Sequence, residues 1–323
     1  MNAALEANTA GLWAQLPALA QAVATTHAEL AVPHPQANAH LREALAQPAS
    51  PLPADAWRWA ALALGFEVED AQLLAAARTR QAERLGTTSD PWAIEQWPSH
   101  WPDFQPPPAA AHAFAPCPQR LGLYVVAPSA DWIARLVEVG VPTVQLRFKS
   151  DDPRAVEREV KAAIDAARGS DSLLFINDFW QLAIEHGAYG VHLGQEDVDT
   201  ADFEAIRQAG LRLGLSTHGY SEMLRAAHWR PSYMALGAVY ATNLKVMPTQ
   251  PQGPARLARY AALMAPHFPL VAIGGIDRQR LNEVLPSGVG SVAAVRALLQ
   301  APNLRDEAQA WMQRCPASPS SGL

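Results

Sequence analysis

Residues 175–197 read FINDFWQLAIEHGAYGVHLGQED. An apolar run closes on Asn177 and Asp178, a stretch with helical spacing follows, and a second apolar run closes on His192, Gln195 and Asp197. Two strands joined by one helix, each ending in a polar cluster, make a β-α-β unit. The crossover makes the strands parallel and brings both polar tips to the same edge. Asp178 and Asp197 therefore stand at the carboxyl ends of neighbouring strands, which in a (β/α)8 barrel is the face where chemistry sits.

The same rhythm extends outward in both directions. Strand-like runs recur about every 20–30 residues from Leu121 onward, at LGLYVVA, TVQLRFK, SLLFIND, GVHLGQ, RLGLSTH, YMALGAVY, LVAIGG and SVAAVR. Helices are expected at 131–139, 153–168, 180–186, 202–209, 221–228, 254–264, 278–285 and from 297 onward. The alternation predicts a parallel α/β fold, and eight of each favours a closed TIM barrel over a doubly wound open sheet. The strands are apolar on both sides, as they must be when both faces are covered.

Glycine divides the chain: three of its 19 glycines precede residue 119, whereas six of the ten tryptophans do. Residues 1–46 read as helix with Ala/Leu periodicity broken at Pro33 and Pro35. After the turn QPASPLPAD, where Ser50 or Asp55 is placed to cap a helix, a helical pair is expected at 56–64 and 67–85. The expected organisation is a small helical N-terminal extension at 1–100 and a Pro-rich extended linker at 101–118. The barrel follows at 119–315, with a disordered tail at 316–323. The extension carries no motif with chemistry in it and reads as a packing or oligomerisation appendage.

Composition limits the function classes. A net charge of −6 over 323 residues argues against sequence-independent nucleic-acid binding. No apolar run approaches the ~18 residues of a membrane span, and no basic stretch followed by an apolar core opens the chain. Two cysteines far apart, Cys117 and Cys315, fit a reducing cytoplasm. Small-molecule substrates are the expected partners, and a homo-oligomer is left open. Of 25 basic residues only three are lysines, at 149, 161 and 245. A chain so sparing with lysine has a reason to place a compact ammonium at 149 and 245.

The strand ends carry the candidate chemistry. Alternation along the second strand aims Gln145, Arg147 and Lys149 to one face. The third and fourth end at Asn177-Asp178 and Gln195-Glu196-Asp197, and the fifth at Ser216-Thr217-His218. The sixth runs into Thr242, Asn243, Leu244 and Lys245, the seventh ends at Gly274-Gly275, and the eighth at Val295-Arg296. Arg147, Lys149 and Lys245 suit phosphate oxygens. Two carboxylates beside those cations oppose an anion unless a divalent cation lies between, and Mg²⁺ is typically held by one or two carboxylates plus substrate phosphates. Gly274-Gly275 suits a second phosphate held by backbone N–H groups. His192, mid-strand, reads as a packed, hydrogen-bonded interior histidine, Glu196 as solvated, and His218 as either loop or site.

On VQLRFK, FINDFWQLAIEHGAYGVHLGQED, GLSTH, ALGAVYATNLK, VAIGGI and GVGSVAAV, residues of about 119–300 resemble the thiamine-phosphate synthase family. The resemblance implies a TIM barrel that couples hydroxymethylpyrimidine diphosphate to thiazole phosphate with release of pyrophosphate. It implies that Gln145, Arg147, Lys149, Asn177, Ser216 and Lys245 hold the diphosphate substrate, with Arg147, Lys149 and Lys245 as the catalytic cations. Asp178 and Asp197 would hold Mg²⁺. Thr242, Asn243, Leu244, Gly275, Val295 and Arg296 would line the thiazole-phosphate end. Two positions depart from the family pattern: Leu244 stands where a second threonine is usual, and Arg296 where a serine is frequent. Two alternatives share the barrel, a thiazole tautomerase without the coupling step and a non-catalytic sensor of thiamine precursors.

Overall fold

The computed structural model describes residues 2–47, 53–88, 90, 93–242 and 249–318. From residue 122 the chain alternates β1 (Gly122–Ala127), β2 (Thr143–Leu146), β3 (Leu173–Asn177), β4 (Gly190–Leu193), β5 (Arg212–Thr217), β6 (Tyr233–Leu236), β7 (Leu270–Ala272) and β8 (Ser291–Ala294) with helices. Each strand pairs in parallel with the next, and β8 returns to β1 through the register Gly122↔Ser291, so the sheet is a closed barrel in sequence order. The TIM-barrel expectation is met.

Aromatic rings fill the barrel interior. Tyr124, Phe175 and Tyr233 pack there with Val126, Ala235, Val271 and Ala293. Glycine at 214 makes room, since a Cβ at that position would run into the ring of Tyr233, its register partner on β6. The outer faces of the strands bury Leu, Ile and Val against the helices. Strands two, six and seven are shorter than expected, ending at Leu146, Leu236 and Ala272. Beyond those points the chain leaves the ladder to form the rim, and Arg147 keeps one ladder bond, from its N–H to Ala127 O at 2.8 Å.

Among the described residues, five N-terminal α-helices precede the barrel: α1 (Ala3–Asn8), α2 (Ala18–Thr26), α3 (Ala37–Ala46), α4 (Pro53–Ala63) and α5 (Val68–Leu85). Beyond the expected breaks at Pro33 and Pro35, Gly11 at φ +73° and Pro17 also interrupt the helix, which leaves three α-helices among the described residues of 1–46. Asp55 sits inside the first turn of α4 instead of capping it, and Ser50 lies outside the described residues. Gly65 turns the chain from α4 to α5 with φ +86°, where a Cβ would strike Val32 O.

Around the barrel run α6 (Ala130–Glu138), α7 (Pro153–Ala167), α8 (Trp180–His186), α9 (Phe203–Gln208), α10 (Tyr220–His228), α11 (Gly253–Met264), α12 (Leu281–Val284), α13 (Arg296–Leu299) and α14 (Leu304–Arg314). The N-terminal helices dock on α10 and α11. The buried Arg256 guanidinium donates to Leu30 O and Leu64 O, both at 2.8 Å, and lies 3.7 Å from the ring centre of Phe66. Asp70 accepts the N–H groups of Tyr220 (3.0 Å) and Ser221 (2.8 Å), capping α10 from another part of the chain. The proline-rich segment is extended for much of its length but laid along the barrel. Ala110 N–H bonds His228 O (2.7 Å), Phe114 N–H bonds Arg230 O (3.2 Å), and the Phe114 side chain is buried.

Candidate active site

The short turn after β3 places the first acid. Asp178 has φ +65°, a left-handed conformation that Asp tolerates better than most side chains, and its N–H bonds His192 O at 3.0 Å. The next two N–H groups fold back, Phe179 to Asn177 O and Trp180 to Asp178 O, both at 2.8 Å. This tight reversal sends the chain into α8 and leaves the Asp178 side chain on the rim. Asp197 ends a short 3₁₀ turn after β4, where its Oδ2 accepts the Gly194 N–H at 2.9 Å.

These acids share one electrostatic environment with the cations that follow β2, Arg147 and Lys149. Burial pushes the Asp178 carboxyl above its ordinary range, and the Asp197 carboxylate adds to the push, while Lys149 and Arg147 oppose it. Asp178 is thus a carboxylate whose charge is under-compensated by protein cations. An oxygen-only donor pair in that state fits a hard divalent cation.

A cavity of about 610 Å³ opens at this end of the barrel. One wall carries Gln145, Arg147, Lys149, Asn177, Asp178 and Ser216. The other carries Thr242, Gly274, Gly275, Val295 and Arg296. Asn243, Leu244 and Lys245 lie outside the described residues. Asp197 acts on the cavity through Asp178, and Glu196, read from sequence as solvated, is exposed yet faces the same space. His218 lines it too, with Nδ1 2.7 Å from Glu222 Oε2.

Beneath the cavity a run of polar side chains, all buried except Ser216 at one end, crosses the barrel. Gln145 Nε2 donates to Asn177 Oδ1 (2.7 Å), and Gln145 Oε1 accepts from the Tyr124 hydroxyl (3.0 Å). The Tyr124 and Tyr233 hydroxyls are 2.7 Å apart. Tyr233 lies 2.7 Å from His192 Nδ1, and His192 Nε2 lies 2.8 Å from Ser216 Oγ. Burial pushes both tyrosine hydroxyls well above their ordinary range, so both are neutral donors and acceptors.

A family model described as thiamine monophosphate synthase matches residues 123–298, more than half of the chain and the whole sequence from β1 into α13. The chain belongs to this family. Its likeness to thiamine-phosphate synthase of Serratia proteamaculans is 54% identity over 192 residues, covering 59% of this chain and 90% of the relative. The thiamine-phosphate synthase of Cronobacter sakazakii is 52% identical over 200 residues, 62% of this chain and 95% of the relative. Among solved structures, thiamine phosphate pyrophosphorylase from Pyrococcus furiosus superimposes with a TM-score of 0.53 at 27% identity, over 60% of this chain and 95% of that one. All three likenesses cover about the length of the barrel. As a thiamine monophosphate synthase family member the chain is a transferase of thiamine biosynthesis. No helix among the described residues is long and apolar enough to cross a membrane.

Three side chains of this thiamine monophosphate synthase barrel were not singled out from sequence. Tyr124 and Tyr233 sit inside apolar runs and carry no mark of a polar role except the glycine opposite Tyr233 at 214. Arg280 faces the cavity, bonds Gly275 O and lies 4.4 Å from the ring centre of Tyr240. Nothing in the stretch DRQR separates it from Arg278.

Proposed function

We propose that this cavity couples 4-amino-2-methyl-5-hydroxymethylpyrimidine diphosphate to 4-methyl-5-(2-phosphooxyethyl)thiazole, giving thiamine phosphate and pyrophosphate. The observation that carries the reading is the convergence of Asp178, Arg147 and Lys149 on one wall, facing a second wall of glycine backbone and Arg296. Anion-binding groups on two sides fit two phosphorylated substrates held face to face.

Arg147, Lys149 and Lys245 grip the diphosphate, the arginine in a fork and the lysines as point charges. Gln145, Asn177 and Ser216 hold the rest of the pyrimidine substrate. Asp178 and Asp197 are the residues that would hold the Mg²⁺ implied by the family likeness, and the Asp178 carboxyl, pushed above its ordinary range by burial and by the Asp197 carboxylate, supports that role. When bound, Mg²⁺ supplies neutralisation of the charge that develops on the departing pyrophosphate. Arg147 and Lys149, just beyond β2, stabilise the same charge, so the C–O bond breaks toward a resonance-stabilised pyrimidinylmethyl cation. The thiazole nitrogen captures that cation, and no side chain needs to move a proton. Gly275, Thr242, Asn243, Leu244, Val295 and Arg296 make the thiazole-phosphate end. There Arg296 offers a charge-assisted bond in place of the hydroxyls usual in the family.

Incubation with each precursor alone and with both, with Mg²⁺, tests the reading by mass detection of product. Thiamine phosphate is expected only in the complete mixture. Pyrophosphate release at the same rate without the thiazole, or no product in the complete mixture, would contradict it.

A further inference from the structure

The hydrogen-bonded run beneath the cavity joins six side chains from six successive strands, β1 to β6, in the order Asn177, Gln145, Tyr124, Tyr233, His192, Ser216. The last two at one end, His192 and Ser216, and the first two at the other, Asn177 and Gln145, line the cavity. Tyr124 and Tyr233, 2% and 0% exposed, are the buried middle that links these two ends.

Donor and acceptor roles along such a run are not independent. A tyrosine hydroxyl has one proton to give. With Gln145 Oε1 accepting from Tyr124, Tyr124 must accept from Tyr233, and Tyr233 must accept from His192 Nδ1–H. The Nε2 of the neutral ring then accepts from Ser216, whose oxygen faces the cavity as an acceptor. Turning the Gln145 amide over reverses every bond: Tyr124 accepts from Nε2–H, Tyr233 accepts from Tyr124, His192 Nδ1 accepts from Tyr233, and Nε2–H donates to Ser216. Ser216 is then free to donate into the cavity, and Asn177 presents its carbonyl oxygen there. With a neutral ring and every hydroxyl proton paired, reversal at one end therefore forces reversal at the other. Burial makes a broken link costly, because an unpaired polar group has no water to fall back on.

We propose that Tyr124 and Tyr233 are positioning residues of the reaction: they couple Gln145 and Asn177 to Ser216, so that the contacts these three side chains make to the pyrimidine part of the substrate are set together. The inference rests on the substrate assignment above. The ring of that substrate bears both hydrogen-bond donors and acceptors. A polarised run whose ends switch together is suited to recognise that combination and to penalise a ligand matching one end alone.

The test is a double-mutant cycle in the full-length protein with Tyr124→Phe, Tyr233→Phe and both, with Tyr189→Phe as a control. Tyr189 contacts Phe175 but stands outside the run. Each substitution removes one oxygen and keeps the ring, and thermal melts confirm that all variants are folded. Each of the first two is expected to lower kcat/KM for the diphosphate about tenfold. Because the run acts as a unit, the double variant is expected near the same level, not about a hundredfold down. The same cycle is read in the dissociation constant of the diphosphate by calorimetry. Singles within about twofold of the unsubstituted protein, losses that multiply in the double variant, or an equal loss in Tyr189→Phe, would overturn the coupling. If the unsubstituted protein binds the diphosphate without turnover, the reaction assignment fails while the calorimetric cycle still decides the coupling. If it neither binds nor turns over, both fall.

Discussion

Asp178 concentrates three unfavourable features in one residue: a left-handed backbone, a half-buried carboxyl and a second carboxylate nearby. Left-handed backbone at a residue other than glycine costs on the order of 1 kcal/mol, and charge repulsion adds to it. Such a cost persists at a rim when the group is used. Across the cavity, Arg296 stands where the family resemblance leads one to expect a serine. Arg296→Ala is predicted to raise KM for thiazole phosphate about tenfold, the loss of one charge-assisted bond, and to leave KM for the diphosphate unchanged. Steady-state kinetics with each substrate varied separately checks this. A lowered KM for thiazole phosphate would mean that the guanidinium obstructs the site.

At the scale of elements, two joints depend on single positions. Asp70 is buried, its carboxyl pushed above its ordinary range by burial and held back by the Ser221 and Tyr220 N–H groups. Asp70→Ala strands those N–H groups at the start of α10 and is predicted to destabilise the protein by roughly 1–3 kcal/mol in urea unfolding. Gly214→Ala drives a methyl into the Tyr233 ring and is predicted to cost about 1–3 kcal/mol. A midpoint unchanged in either variant would contradict the packing described. The order of elements was legible because apolar runs of strand length alternate with helical spacing, and because polar residues such as Asn177-Asp178 mark where each run reaches the rim. The buried run was not legible. A tyrosine inside an apolar strand looks like core, and only the closed barrel brings β1 and β6 within one hydrogen bond of each other. The docking of residues 1–118 was equally hidden. Nothing in the local sequence of Arg256 says that its acceptors, Leu30 O and Leu64 O, lie some two hundred residues away.

For the whole molecule, the N-terminal helices pack as part of the same solid as the barrel. His27 shows what this costs. Its ring is buried against Trp57 and Trp97, and Nε2–H donates to Ile94 O at 2.8 Å. Burial holds its pKa below the ordinary 6.5. A depressed folded value means that the stabilising contribution is whole above pH 6.5, the unfolded value, and is lost as pH falls through the folded value. Urea midpoints followed by tryptophan fluorescence are therefore predicted to decline on acidification below that pH, and His27→Phe to flatten part of the decline. An identical pH profile in the variant would contradict the assignment. None of this bears on turnover unless the barrel carries out the coupling. The most direct measurement is pyrophosphate release from both precursors with Mg²⁺, for the full-length protein beside Asp178→Ala. The account predicts release that requires both precursors, stops on chelation and falls at least about a hundredfold in Asp178→Ala, as expected for removal of a group acting on the developing charge. Release in Asp178→Ala at the unsubstituted rate would contradict it.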